Sequence, residues 1–124
     1  MCESCQEDPS LHSFRIESDT DMHITYYSCI SEATDTIVPR IVSHINGFLQ
    51  KKGEKTWSWI LDSRSFSIHW HTFELTLALF DIISNYETSL VEIKIIHLND
   101  FMKQFMSYCV SYMRESLQQK IVIE

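Results

Sequence analysis

Two cysteines three residues apart, Cys2 and Cys5, open this chain, and His12 follows close behind. That is half of a zinc-ligand spacing. A closed structural site wants four ligands, and the second half is missing. His69-Trp70-His71 offers two imidazoles at positions i and i+2. On a helix such positions do not face one another, so a capping or loop role is the simpler reading. The histidines at 12, 23, 44 and 97 have no carboxylate at ligand spacing. Asp62 is better placed, because it ends an apolar strand, where open α/β sheets gather their sites. A turn into Ser63-Arg64-Ser65 is its plainer explanation. Neither glycine lies in a phosphate-cradling loop, and no Gly-x-Ser-x-Gly elbow is present. The motifs therefore point to no catalytic residue, no metal and no cofactor. The one unusual supply is aromatic and methionine side chains, which line apolar ligand cavities and also fill ordinary cores.

The elements that must position these residues are legible in the hydrophobic pattern. Leu11 to Glu17 reads as a short edge strand, and Met22 to Ile30 as a clearer strand rich in β-branched and aromatic residues. Asp19-Thr20-Asp21 between them has turn chemistry, so the two form a hairpin. Ile37, Ile41, Ile45 and Phe48 make a helical row ending near Lys51, with Lys51, Lys52 and Gly53 as the stop. Its start falls between Ser31 and Pro39. Lys55 to Asp62 is a strand, His69 to Tyr86 a helix apolar on most sides, and Leu90 to Leu98 a second β-branched strand. A strand, a helix and a strand of these lengths make a right-handed crossover with parallel strands. A helix apolar nearly all round is expected to be covered on both sides. Asn99 or Asp100 caps a last helix over 101–117, and Lys120 to Glu124 is a terminal strand. The order β-β-α-β-α-β-α-β predicts an α/β fold with a largely parallel or mixed five-stranded sheet and covering helices.

The 124 residues suit one domain, with 1–10 as a loose tail and 11–124 as the folded unit. A net charge of −7 argues against nucleic acid and against electrostatic docking on an anionic membrane. No apolar run approaches a membrane span. The polar, acidic N-terminus does not read as a signal peptide, so a reducing, cytoplasmic setting is expected for the four cysteines. Cys29 and Cys109 fall on apolar faces and read as small core residues.

The run Trp57-Ser-Trp-Ile-Leu-Asp-Ser-Arg-Ser-Phe66, then a helix, then Asn85-Tyr-Glu-Thr-Ser-Leu-Val-Glu-Ile-Lys-Ile-Ile-His-Leu-Asn99, Phe101 and Lys120-Ile-Val-Ile123 resembles the CRAL-TRIO domain. His23-Ile-Thr-Tyr-Tyr27 and the helix bearing His44 keep the family's order, so the resemblance spans about 11–124. Its parts are generic singly, and their order and spacing carry it. Ser65 stands where the family's turn commonly has glycine. The likeness is to a minimal or divergent member, without the N-terminal helical extension and without the gate helix that follows the Lys-Ile strand. The resemblance implies a non-enzymatic module that binds a hydrophobic ligand or lipid. The expected cavity lies between the sheet and the helices of residues 69–86 and 101–117. Tyr26, Trp59, Phe66, Trp70, Phe73, Phe101 and Phe105 are its candidate lining. The competing expectation is a protein-interaction module, homodimeric in one version, working through an apolar face or the edge of the terminal strand. Asp62-Ser63-Arg64-Ser65 also resembles the Asp-Ser-Ser-Gly turn of STAS domains, which implies phosphoregulation.

Overall fold

The computed structural model describes residues 14–29, 37–64 and 70–124, with the backbone alone at 37–41 and 70–75. Strand β1 (Arg15–Asp19) and strand β2 (His23–Cys29) form an antiparallel hairpin. Helix α1 (Ile37–Lys51), strand β3 (Thr56–Asp62) and helix α2 (Trp70–Asn85) follow. A 3-10 turn (Glu87–Ser89) leads into strand β4 (Leu90–Ile96). Helix α3 (Asp100–Val110), the single turn α4 (Glu115–Gln118) and strand β5 (Ile121–Ile123) complete the chain. The fold is α/β with a mixed five-stranded sheet in the order β1-β2-β3-β4-β5, and β2 through β5 are parallel.

Local chemistry sets the element ends. Thr20 takes the hairpin turn: its Oγ1 accepts from His23 N at 3.0 Å and its own N–H donates to His23 O at 2.9 Å. Gly53 ends α1 with φ of 66°, a left-handed geometry that costs glycine nothing. Asn99 caps α3 by accepting from Met102 N at 2.8 Å. Pro39 sits in the first turn of α1, where its missing N–H breaks no helical bond. β4 stops at Ile96 because His97 takes φ of 62°.

Two expectations need correcting. The edge strand lies at Arg15–Asp19, later than expected, and all five of its residues are exposed. The last helix is also not continuous over 101–117. The chain turns at Ser111–Arg114, and α4 restarts with Arg114 at its N-cap. Ser111 Oγ donates back to Tyr108 O at 2.5 Å, and Gln118 Nε2 donates to Met113 O at 2.7 Å, closing the loop. The detour buries Leu117 and aims β5 back at β4.

Sequential parallel strands joined by right-handed crossovers, all stepping the same way, carry their helices on one face of the sheet. The core accordingly lies on that face. It is built from Ile24 and Tyr26 of β2, Trp57, Trp59 and Leu61 of β3, and Ile93 and Ile95 of β4, with Ile45, Leu49, Leu79, Ile83, Met102 and Met106 of the helices above them. The Phe14 ring stacks on Tyr26 at 5.0 Å and meets Trp59 edge-on at 5.5 Å. Three polar groups carried inside are bonded. Trp59 Nε1 donates to Ser28 Oγ at 2.8 Å, Trp57 Nε1 to Tyr86 O at 2.9 Å, and Tyr26 OH to Phe48 O at 3.3 Å. Burial, helped by the charge of Asp19, pushes the Tyr26 phenol up to about 12.

Lys52 staples the lower end of the sheet. Its Nζ donates to Gly53 O, Lys55 O and Ser89 Oγ at 3.2, 3.1 and 2.9 Å. Burial pushes its ammonium below the ordinary lysine range.

Candidate functional site: the open face of the sheet

Side chains alternate along a strand, so each residue next to a core residue points to the opposite face. The register lines those residues up in rows across the strands. Thr25, Ser58 and Glu92 form the first row. Arg15, Tyr27, Ile60, Lys94 and Val122 form the second. Cys29, Asp62 and Ile96 form the third. Among the described residues no helix lies over these rows, and most of them are half-buried.

The face is graded. At the N-terminal ends of the parallel strands it is polar: His23 Nδ1 lies 2.8 Å from Thr56 Oγ1, and Ser58 Oγ lies 3.2 Å from His23 Nε2. Toward the C-terminal ends it becomes more apolar: Tyr27 and Ile60 are neighbours, Val122 follows beyond Lys94 in the same row, and Ile96 lies in the next row beside Asp62. Two cations belong to the same row, Arg15 at its edge and Lys94 between Ile60 and Val122. The Arg15 guanidinium sits 4.5 Å over the Tyr27 ring, and Lys94 faces Glu124 at 3.8 Å.

Asp62 closes the top of this face and is fully buried. Its carboxylate accepts from Tyr27 OH at 2.7 Å, from Arg64 N at 3.1 Å and from Arg64 Nε at 2.8 Å, with Arg64 Nη2 at 2.5 Å. Burial alone would raise its pKa. The bonds from Arg64 and Tyr27 outweigh that and hold the carboxyl at about 2. A saturated, permanently ionised carboxylate is a poor proton acceptor at neutral pH, and its chemistry here is to fix the turn after β3 and to hold Tyr27 down on the sheet. The neighbouring Ser63 is buried and donates its N–H to Ile96 O at 3.0 Å, so a modifying enzyme would not reach its hydroxyl in this conformation.

Of the seven candidate lining residues, the four whose side chains are described do not converge on one place. Tyr26 and Trp59 lie on the helix-covered face, fully buried. Phe105 is half-buried against the core, and Phe101 points outward with 67% of its surface exposed. Phe66 lies outside the described residues, as do the side chains of Trp70 and Phe73. The space between Trp59, Leu79, Ile83, Ile93 and Met106 holds a void of only about 20 Å³. That is far below the roughly 300–1,000 Å³ of a pocket that takes a small organic ligand. The expected tail at 1–10, Cys2, Cys5, His12, His69 and Ser65 also lie outside the described residues.

A second concave surface opens between α2 and α3. It is a groove of about 620 Å³ walled by Leu77 and Phe80 on one side and by Tyr108, Cys109 and Tyr112 on the other. The aromatic and methionine rows of α3 are adjacent in sequence, and the structure separates them. Met102, Met106 and Cys109 turn inward, while Phe101, Tyr108 and Tyr112 turn outward. α2 is correspondingly covered on the sheet side, and Leu77 on its outer side is 49% exposed.

Among the described residues, no group of three or more His, Cys, Asp or Glu is arranged to hold a metal ion, and no helix is long and apolar enough to cross a membrane. Compared with known proteins, the sequence matches no family model and no curated protein.

Proposed function

We propose that this chain is a non-enzymatic binding module, CRAL-TRIO-like in outline, that takes a hydrophobic ligand or lipid on the open face of its sheet. One observation carries the reading: four parallel strands are covered by helices on one face and uncovered by any described element on the other. Parallel sheets are almost always covered on both faces, because their strands are apolar on both. Tyr27, Ile60, Ile96 and Val122 supply an apolar floor on the open side. The apolar body of a ligand lies on that floor and completes the second layer. Arg15 at the edge and Lys94 between Ile60 and Val122 meet a polar or anionic end.

The test is native mass spectrometry of gently purified protein, followed by organic extraction of the same sample. It is repeated on Ile96→Glu and Ile60→Glu, with uptake of a fluorescent fatty acid measured in parallel. The expected result is a stoichiometric hydrophobic adduct on the parent chain and at least a tenfold weaker uptake in the variants, equivalent to about 1.4 kcal/mol. Thermal melting checks that the variants still fold. A bare protein that takes up no fatty acid, or folded variants that bind as the parent does, would overturn the reading.

A further inference from the structure

The groove between α2 and α3 lies in the helix layer, apart from the sheet face proposed for the hydrophobic ligand. Its volume of about 620 Å³ falls within the roughly 300–1,000 Å³ of small-molecule pockets. Leu77, Phe80 and Met113 give it apolar walls, and Tyr108 and Tyr112 add two more rings. Those two rings meet edge-on at 5.1 Å, so that wall is ordered. The faces of aromatic rings attract cations.

The directions of the hydrogen bonds select the same sign of charge. The Ser84 hydroxyl gives its hydrogen to Phe80 O at 2.9 Å, and the Tyr112 hydroxyl gives its hydrogen to Tyr108 OH at 2.8 Å. Both oxygens are left as acceptors only. Asp81, on the same wall as Ser84, is a carboxylate with no partner among the described residues. Arg114 also lines the groove, but its charge is already met: its Nη2 lies 2.5 Å from Glu87 Oε2. The helices add to the effect. The groove runs along the C-terminal halves of α2 and α3, where the helix dipole is negative, and neither helix has a basic residue in its last turn. Asp81 stands about one turn before the end of α2, where a carboxylate is unfavourable until something positive meets it.

We infer that this groove is a binding site for a protonated amine carried on an aromatic or aliphatic body. The ammonium donates to Asp81 and Ser84, which lie one helical turn apart on α2. The body lies between Leu77 and Phe80 on one side and the tyrosine rings on the other. An anion would meet an unpaired carboxylate and two helix C-termini. A neutral alcohol would offer one hydrogen and no charge.

A chemical-shift titration of the full chain tests this with three probes of one shape: phenylbutylamine, phenylbutanol and phenylbutyrate. The amine is expected to bind about tenfold more tightly than the alcohol, and the carboxylate more weakly than either. The resonances that move should be those of Leu77, Asp81, Ser84 and Tyr108. Asp81→Asn changes an exposed side chain and leaves the core alone. It should remove the advantage of the amine over the alcohol, with thermal melting as the check on folding. A parent chain that binds no amine at millimolar concentration overturns the proposal. An amine that binds no more tightly than the alcohol does the same, as does a folded Asp81→Asn that keeps the preference. Ile60→Glu, a change on the sheet face, should leave amine binding as it was. Loss of amine binding in that variant would put the amine on the sheet and overturn the groove as its site.

Discussion

Trp59 and Ile60 are neighbours in one strand and belong to different worlds. Trp59 is 1% exposed, bonded through its indole to Ser28 and packed against Phe14. Ile60 lies half-buried among Tyr27 and Lys94, on a face with no described helix over it. The backbone geometry is the same for both, and so are the strands beside them. The difference lies in what crosses over each face. The helix-covered face bonds several of its polar atoms internally: Ser28, both buried indoles and the Tyr26 hydroxyl have partners. The open face bonds its polar groups at one end and leaves its apolar groups uncovered at the other. That grading, from polar to apolar, is the surface on which the proposed ligand would lie.

The largest test of that contrast is a pair of alanine substitutions. Trp59→Ala should cost about 3–5 kcal/mol in chemical denaturation, because it empties a filled core and orphans Ser28. Ile60→Ala should cost roughly 1 kcal/mol, because the side chain gives up little buried area. Equal costs would mean that the second face is covered after all. Next comes Asp62→Asn, which removes the charge holding Arg64 and Tyr27. It should cost about 1–3 kcal/mol. The same carboxyl sets an acid limit. Its pKa is about 2 in the fold against 3.8 unperturbed, so its stabilisation is present in full above pH 3.8 and is lost as the pH falls toward 2. That is worth roughly 1–2 kcal/mol after allowing for solvent screening, and Asp62→Asn should flatten the acid limb of a stability profile measured against pH. The smallest effect belongs to His44, on the covered side. Burial lowers its pKa more than its bond to Phe14 O raises it. It is therefore held neutral, and stability should decline as the pH drops below about 6.5, where the unfolded chain takes up the proton first. Replacing His44 with Gln should remove that decline, and an unchanged profile would show that the ring is not excluded from water.

The alternation of strands and helices was legible because period-2 and period-3.6 patterns differ plainly in this chain, and because Gly53 and Asn99 mark two element ends by their chemistry. The edge strand was misplaced because Arg15–Asp19 is charged on both sides and carries no burial pattern to read. The break at Ser111–Arg114 was hidden because the helical period runs through it to Leu117. The candidate site was the least legible. Two adjacent rows on α3, one aromatic and one of methionine, have the same period, and periodicity cannot say which of them faces the core. The cavity expected between the sheet and the helices of residues 69–86 and 101–117 came from the CRAL-TRIO resemblance, not from a burial pattern in the strands. The hint that the second face differs was the set Thr25, Ser58, Glu92 and Lys94, polar residues that alternate with the core residues in three successive strands.

Lys52 gives the molecule a built-in chemical clock. An amine held by two carbonyl oxygens and a hydroxyl, and shielded from solvent, is a poor nucleophile toward acylating reagents while those bonds last. Because it joins the loop after α1 to the turn before β4, nothing short of separating two successive crossovers frees it. In a pulse of amine reagent, Lys103 on the exposed side of α3 should label at once. Lys52 should label at the rate at which the sheet opens.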